Sequence, residues 1–349
     1  MNRNKQMLRA GTLAVLFAML LRLIGSGVFG NTLAVFAQPE LASFLIYAES
    51  GRKPQPDQTT VTTDATQPSA ETTAPTAPTV PTPPPTEPSV PVTLPVTKPV
   101  FTRDDVQYFE MNYSCSLRPQ VESLLTQSLK WDLTGNEPTV LILHTHGTEA
   151  FTETEDTRYE EFGGEYRTAD DRYNMISVGD ELTRLLEEGG LKVIHDRTPH
   201  DKNDYLDAYD NSRAAAKEYL RQYPSIKLIL DLHRDAAEYA DGTQWATSAT
   251  VNGEDSAQLM LVVGTNAWGL SHPNWQTNLS IAEKLNVLME KNVSGITRPI
   301  DLRGQRFNQD LAVGALIVEV GAAGNTHPEA MNAISVLAEA MLELAYGSE

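Results

Sequence analysis

The sequence contains little that would crosslink it or bind it to a polyanion. It has one cysteine, Cys115, among 349 residues, which excludes an intramolecular disulfide. Lysine and arginine number 27 against 46 aspartates and glutamates, which gives a formal net charge of −19. Nucleic-acid-binding proteins carry clustered basic residues, so this acidic balance argues against nucleic acid as a partner.

Large apolar side chains are scarce between residues 53 and 99, where proline and threonine dominate, as in the sequence PTPPPT at 81–86. Such a segment cannot bury enough apolar surface to fold, so it is predicted to be a disordered, extended linker. Residues 100–349 are enough for one sizeable hydrophobic core. We therefore expect a single folded domain after the linker.

A long apolar run lies near the N-terminus. The basic tail 1–9 precedes the apolar residues 10–37, in which Arg22 is the one charge. This order predicts a single-pass signal anchor, with 38–52 as a juxtamembrane segment. The alternative is a secretory signal cleaved after Ala37. Either way, the rest of the chain is predicted to lie outside the cytoplasm.

Apolar runs alternate with amphipathic segments after residue 139. Runs typical of buried strands occur at 140–143, 191–194, 227–232 and 316–320. Helical spacing of apolar residues occurs at 175–186, 215–220, 275–289 and 330–344, and the first of these ends at Gly189-Gly190. The alternation predicts an α/β domain of three layers, with a mostly parallel, twisted sheet between helices.

Two histidines and a carboxylate follow the first of these strands, in the sequence HTHGTE at 144–149. Open α/β sheets bind their ligands at this position, outside the carboxyl ends of the strands. The spacing of His146 and Glu149 lets one turn present an imidazole and a carboxylate to the same metal ion. His144 remains open as an alternative ligand, although we favour a supporting hydrogen bond for it.

A third candidate ligand is His233, which closes the run 227–232 among charged residues. Glu319 lies inside the apolar run 316–320, where an ionised carboxylate is costly without a partner. Together these residues predict a catalytic zinc held by His146, Glu149 and His233, with Glu319 transferring protons between the attacking water and the leaving amine.

Further residues are candidates for contacts with the substrate or around the ligands. Arg234, Arg303 and Arg306 could each bind the oxygen of the reacting carbonyl, and the sequence does not choose among them. Asp235 adjoins the predicted ligand His233. Asp170 and Asp171 remain alternatives to Glu149 as the carboxylate ligand.

At these residues the chain resembles the stage II sporulation protein P family, cell-wall hydrolases of spore-forming bacteria. The resemblance extends from residue 100 to the C-terminus and lies in five blocks: LHTHGTEAF at 143–151, IHDRT at 194–198, DLHRDA at 231–236, FNQDL at 307–311, and EVG at 319–321 ahead of Asn325-Thr326.

The last block also resembles zinc N-acetylmuramoyl-L-alanine amidases. Their base would fall on Glu319, and their zinc histidines in the turn from His144 to His146 and on His233. Those amidases take their carboxylate ligand from the start of the first helix, whereas Glu149 follows the turn of zinc carboxypeptidases, which have a related fold. The resemblance thus implies a zinc amidase-like or carboxypeptidase-like domain at 100–349.

The resemblance also implies a function. It implies cleavage of the amide between muramic acid and L-alanine in peptidoglycan, with accompanying cleavage of peptide cross-links, during engulfment of the forespore. The implied partners are the stage II sporulation proteins D and M. Two alternatives remain open: a zinc peptidase acting on other peptides, and a catalytically silent scaffold that binds the wall.

Overall fold

The computed structural model describes residues 98–130, 132–236, 239 and 243–347. The predicted tail, anchor and juxtamembrane segment, and the linker up to residue 97, lie outside the described residues. Among the helices that are described, none is both long enough and apolar enough to cross a membrane.

The described chain forms nine strands and five α-helices. The strands are β1 (Met111–Ser114), β2 (Val140–Leu143), β3 (Val193–His195), β4 (Leu228–Asp235), β5 (Ala249–Val251), β6 (Glu254–Ser256), β7 (Leu259–Gly264), β8 (Ile300–Arg303) and β9 (Gly314–Ala322). The helices are α1 (Val121–Thr126), α2 (Met175–Glu188), α3 (Ala208–Gln222), α4 (Trp275–Asn292) and α5 (His327–Tyr346), preceded by a 3₁₀ helix (Arg103–Tyr108).

Seven strands form one sheet in the order β1-β8-β7-β9-β4-β2-β3, and β5 and β6 form a separate hairpin. Every neighbouring pair in the large sheet is parallel except β7 and β9, which are antiparallel. The predicted α/β class with a mostly parallel sheet between helices is therefore confirmed. The antiparallel pair divides the sheet into two parallel groups that run in opposite directions.

The two faces of the sheet are covered unequally. Alternate residues of β4 point to opposite faces: Leu228, Leu230 and Leu232 enter the main core with side chains of α1, α2, α4 and α5. Ile229 enters a smaller core whose helical side chains come from α3. Among the described helices, α3 is the one that covers this second face.

Helix ends follow the expected local chemistry. Asn174 precedes α2, and its side chain accepts a hydrogen bond from the backbone N–H of Ile176. The same helix ends at Gly189, and the next residue, Gly190, has a φ of 94°, a conformation that glycine adopts without strain. The predicted end of this helix at Gly189-Gly190 is confirmed.

Strands β1, β5, β6, β7 and β8, helix α1 and the first two turns of α3 were not recognised in the sequence. β1 and β8 have four residues each and carry polar side chains, including Asn112 and Asp301. The first turns of α3 contain Tyr209, Asn211 and Ser212, which break the apolar spacing. β1, β8 and the start of α3 depend on contacts with distant parts of the chain, whereas β7 is a continuous apolar run whose local pattern was overlooked.

Helix α4 carries two ionisable residues inside the protein. Glu283 is fully buried, and neither carboxyl oxygen has a hydrogen-bond partner among the described residues. Burial raises the pKa of Glu283 to about 9, against an opposing effect of Lys284. Lys284 Nζ donates hydrogen bonds to the backbone oxygens of Leu124 (3.1 Å) and Leu125 (2.6 Å), so it stabilises the end of α1.

Replacing Glu283 with glutamine should remove one source of pH dependence from the free energy of unfolding. The pKa of Glu283 is about 9 in the folded protein, against an ordinary value of 4.5. Between these two pH values the folded state therefore binds one proton more than the unfolded state. The contribution of Glu283 to the free energy of unfolding is complete below pH 4.5 and falls by about 1.4 kcal/mol for each pH unit between pH 4.5 and 9. Glu283→Gln should therefore flatten the profile and be more stable than the parent protein at pH 8.

Urea denaturation at pH 5, 6, 7 and 8 measures this effect. Glu339→Gln, at an exposed position of α5, is the matched control, and its free energy of unfolding should depend on pH as steeply as that of the parent protein. The same slope in all three proteins would show that Glu283 does not hold a proton in the folded state.

Candidate active site at the ends of three strands

The candidate site lies where β2, β4 and β9 end together. These three strands are neighbours and parallel, so the residues after them meet at one edge of the sheet. The turn after β2 is tied to β4 by Asp231, which accepts hydrogen bonds from the backbone N–H (2.8 Å) and the hydroxyl (2.5 Å) of Thr145. These bonds place the sequence 144–149 against β4.

The structure brings His146, Glu149 and His233 together. The imidazole rings of His146 and His233 lie edge to face with centroids 5.4 Å apart. Glu149 Oε2 lies 3.6 Å from His233 Nδ1, and all three residues are buried. The ring of Tyr205 stacks on His146 with a centroid distance of 4.2 Å. The three predicted ligands therefore occupy one place in the fold, and their role as ligands stays a prediction.

Glu149 is held as a carboxylate by its neighbours. Burial by itself raises the pKa of Glu149, but the charge of Arg234 and the contact with His233 outweigh it, and the pKa falls to about 2. The backbone N–H of Arg234 donates to Glu149 Oε2 at 3.1 Å. The Arg234 guanidinium also donates to the backbone oxygens of Ala150 and Tyr166. Arg234 thus holds Glu149 and its turn rather than facing a substrate.

Glu319 adjoins His233 across the sheet. The two residues are in register on β9 and β4, so their side chains leave the same face at neighbouring positions. Glu319 Oε2 is buried and makes no hydrogen bond within the described part of the chain. Burial raises the pKa of Glu319 to about 7, although the charge of His233 opposes the rise. A carboxyl group with such a pKa can both accept and release a proton near neutral pH.

The atoms that would bind a metal have no hydrogen-bond partners. His146 Nδ1 and His233 Nε2 are buried and make no hydrogen bond in the described region, although His233 Nε2 lies 3.1 Å from Asp231 Oδ1, out of hydrogen-bonding direction. Buried polar atoms normally have partners. Two imidazoles and a carboxylate are a donor set that suits zinc.

The side chains do not stand at the positions of a loaded metal site. Among the described residues, no group of three or more His, Cys, Asp or Glu side chains is arranged to hold a metal ion. The residue types and the unpartnered atoms fit zinc, while the donor atoms do not converge on one point. The zinc site remains a prediction.

His144 lies away from the other histidines of the candidate site. Its Nε2 is 2.8 Å from His195 Nε2, and its Nδ1 is 3.4 Å from the backbone oxygen of Leu232. Burial lowers the pKa of His144 to about 3, so the ring is neutral. Gly179 of α2 lies directly against both rings. His144 therefore packs the turn against α2, and its ring nitrogens contact His195 and a backbone oxygen rather than a proposed ligand. Its supporting role stays a prediction.

The other residues considered from the sequence form ion pairs with residues outside the proposed ligand set. Asp170 pairs with Arg172 (2.5 Å) and Asp171 with Arg197 (3.6 Å), so of the three carboxylates considered as ligands Glu149 is the one near His233. Three further ion pairs engage the other candidates: Asp235 with Arg298, Arg303 with Asp301, and Arg306 with Asp310.

Three residues at the site were not assigned a role from the sequence: Asp231, Tyr205 and Tyr209. Asp231 is two residues before His233 on a buried strand, and this alternation signals that both face the same side. Tyr205 and Tyr209 follow an irregular segment, and no local pattern indicates that they reach the histidines. Their place depends on how α3 packs.

Comparison with known proteins identifies sequence relatives. The family model for stage II sporulation protein P (SpoIIP) matches residues 46–342. Stage II sporulation protein P of Bacillus subtilis (strain 168) is 28% identical over 234 residues, which are 62% of this chain and 53% of that protein. The chain thus spans about half the length of this curated relative.

Two solved amidase structures have some likeness to this fold. The CwlD amidase from Clostridioides difficile, solved in complex with the GerS lipoprotein, is 13% identical, with 60% of this chain and 95% of that chain covered and a TM-score of 0.37. The N-acetylmuramyl-L-alanine amidase Ami1 from Mycobacterium smegmatis is 12% identical, with 62% and 100% covered and a TM-score of 0.37. Likenesses at this score carry no argument about the chemistry of this chain.

The packing of His144 predicts the effect of a methyl group at Gly179. Replacing a helical glycine with alanine ordinarily stabilises by about 0.5–1 kcal/mol. Here the added carbon would lie 2.5 Å from Nε2 of both His144 and His195. We therefore expect Gly179→Ala to destabilise the protein by about 1–3 kcal/mol. Urea denaturation measures the sign, with Glu187→Ala on the exposed side of α2 as control. A more stable Gly179→Ala variant would mean that the two rings are not fixed against α2.

Proposed function

The chain belongs to the stage II sporulation protein P family, and on that basis, together with the side chains gathered at the ends of β2, β4 and β9, we propose that it is a zinc-dependent peptidoglycan hydrolase of sporulation. Its proposed reaction is cleavage of the amide between N-acetylmuramic acid and L-alanine. The observation that carries this proposal is the meeting of His146, Glu149 and His233 beside a carboxyl group, Glu319, whose pKa is raised to about 7.

The proposed ligands are His146, Glu149 and His233. The unpartnered nitrogens of the two histidines support this role, as does the ionised state of Glu149. A zinc ion held there would supply a Lewis acid that polarises the amide carbonyl and lowers the pKa of the attacking water.

Glu319 is proposed to move the proton. It would take a proton from the attacking water and pass it to the leaving amine of L-alanine, which leaves as a neutral amine. Its nearness to His233 and its raised pKa support the assignment, because a carboxyl group that titrates near neutral pH can perform both transfers. Arg234 would keep Glu149 ionised and in place throughout.

The cellular setting is part of the same proposal. A membrane anchor at 10–37 and a linker at 53–99 would hold the domain outside the cytoplasm, within reach of the wall. Cleavage of peptide cross-links and association with the stage II sporulation proteins D and M, during engulfment of the forespore, are further expectations of this family assignment.

Metal content and activity test the assignments together. We expect the full-length chain to bind one zinc ion, and His146→Ala, Glu149→Ala and His233→Ala each to lose it, as measured by elemental analysis. Asp170→Asn should retain zinc, because Asp170 pairs with Arg172 instead.

Glu319→Gln should also retain zinc, but its kcat on purified peptidoglycan should be roughly 10²–10⁴-fold lower than that of the parent protein. Wall digestion by Glu319→Gln at the parental rate would refute its role.

Mass spectrometry of the digested wall identifies the bond that is cut. New free amino groups on L-alanine, formed only without chelator, are the expected result. Free amino groups elsewhere in the peptides, with the muramoyl amide intact, would indicate a peptidase. Binding of the chain to the wall with no released product and no zinc would indicate a scaffold.

A further inference from the structure

Tyr209 lies against both histidines of the candidate site. It is the second residue of α3, and its ring meets the edge of His146 at a centroid distance of 5.7 Å. The same ring is nearly parallel to that of His233, with centroids 6.5 Å apart. On another side it packs against Phe307 at 5.8 Å. The phenol is therefore fixed beside the proposed zinc ligands by three aromatic neighbours.

The hydroxyl of Tyr209 is available to a bound molecule. It makes no hydrogen bond to any residue that the structure describes, whereas the backbone oxygen of Tyr209 accepts two. The ordinary pKa of a tyrosine phenol is about 10, so the hydroxyl keeps its proton at neutral pH and is a hydrogen-bond donor.

The segment 307–310 holds Tyr209 in this position. Asn308 Nδ2 donates to the backbone oxygen of Tyr209 (2.8 Å) and to Ser212 Oγ (3.0 Å). Asp310 accepts two hydrogen bonds of 2.8 Å from Arg213, one turn further along α3. Phe307 has a φ of 52°, a strained value for a bulky residue. Backbone strain of this kind persists where the surrounding contacts enforce it, and it is common at functional sites.

We propose that Tyr209 is a catalytic hydrogen-bond donor, whose hydroxyl binds the oxygen of the reacting amide carbonyl as that oxygen gains negative charge. This inference rests on the proposed amide hydrolysis. A preorganised donor of this type acts mainly on the transition state, because the charge on the oxygen is largest there. The proton stays on the phenol throughout, so Tyr209 complements Glu319, which moves protons, and does not replace it.

The three arginines considered as donors to the same carbonyl oxygen already have other partners. Arg234 is occupied by Glu149 and by two backbone oxygens, and Arg306 is paired with Asp310. Arg303 is bound through Nε to Asp301, and its terminal nitrogens, like those of Arg306, make no hydrogen bond to the described residues. Of these two arginines, Arg303 is near enough to Glu319 for its charge to lower the pKa of that carboxyl group. Arg303 is therefore the competing candidate for the same oxygen, and the experiment below includes it.

The test compares Tyr209→Phe with Tyr219→Phe in the full-length chain. Both variants lose one phenolic hydroxyl from α3, but Tyr219 packs in the smaller core, away from the histidines. We expect Tyr209→Phe to lower kcat on a soluble muropeptide about 100-fold, with KM within about twofold of the parent because the donor acts on the transition state. Zinc content and Tm should not change. Tyr219→Phe should match the parent in all four quantities.

A second measurement does not depend on turnover. A phosphinate analogue of the muramoyl-L-alanine amide carries the charge that the oxygen acquires in the transition state. Calorimetry should show that Tyr209→Phe binds this analogue roughly 100-fold more weakly, while its affinity for the uncleaved muropeptide, measured in the Glu319→Gln background, is unchanged.

The possible outcomes separate this inference from the proposed function. An active parent protein with a Tyr209→Phe variant that keeps kcat and analogue affinity overturns the role of Tyr209 alone. A loss confined to KM, or a loss of zinc, does the same by showing a binding or structural role. If Arg303→Gln instead shows the selective loss, the donor is Arg303. A parent protein that opens no muramoyl amide refutes the proposed function and the role of Tyr209 with it.

Discussion

The site depends on the balance of charge around His233. Three carboxylates, Glu149, Asp231 and Glu319, lie near this imidazole in a region that is largely removed from water. Buried like charges repel strongly unless each is neutralised or paired. Arg234 neutralises Glu149, and Asp231 is satisfied by the turn after β2 and raises the pKa of His233. Glu319 holds its proton to a higher pH because it is buried and lies near Glu149. The state of each carboxyl group thus follows from its own surroundings.

The unequal layers of the fold make room for this arrangement. The main core lies on one face of the sheet, where four helices pack on it. On the other face α3 covers β2 and β4, and the segment 307–310 joins its first turn to the sheet through Gln309, which bonds to the backbone of Val262 and Gly264. This connection keeps aromatic side chains against the histidines without a helix that would close the site.

Much of the fold and part of the site could be predicted from local features. The continuous apolar run of β2 and the amphipathic pattern of α2 are set by neighbouring residues, so both were recognised with nearly their observed bounds. His146 and Glu149 share one turn, so their meeting is also a local property. Tyr209 was missed because its ring reaches the site through packing between residues about 100 positions apart in the chain, such as the contact of α3 with Asn308.

The sequence by itself determined which residue types form the site, histidines and carboxylates, and which strands carry them. A polar residue in or directly after an apolar strand is costly to bury unless it pairs with another polar group, so these residues mark the site. It also determined the α/β class through the spacing of its apolar residues. The tertiary structure alone decided three things. Of the carboxylates considered as ligands, Glu149 is the one near His233; His144 packs against Gly179; and Arg234 holds Glu149. Those choices depend on distances between residues far apart in the chain, and periodicity carries no information about such distances.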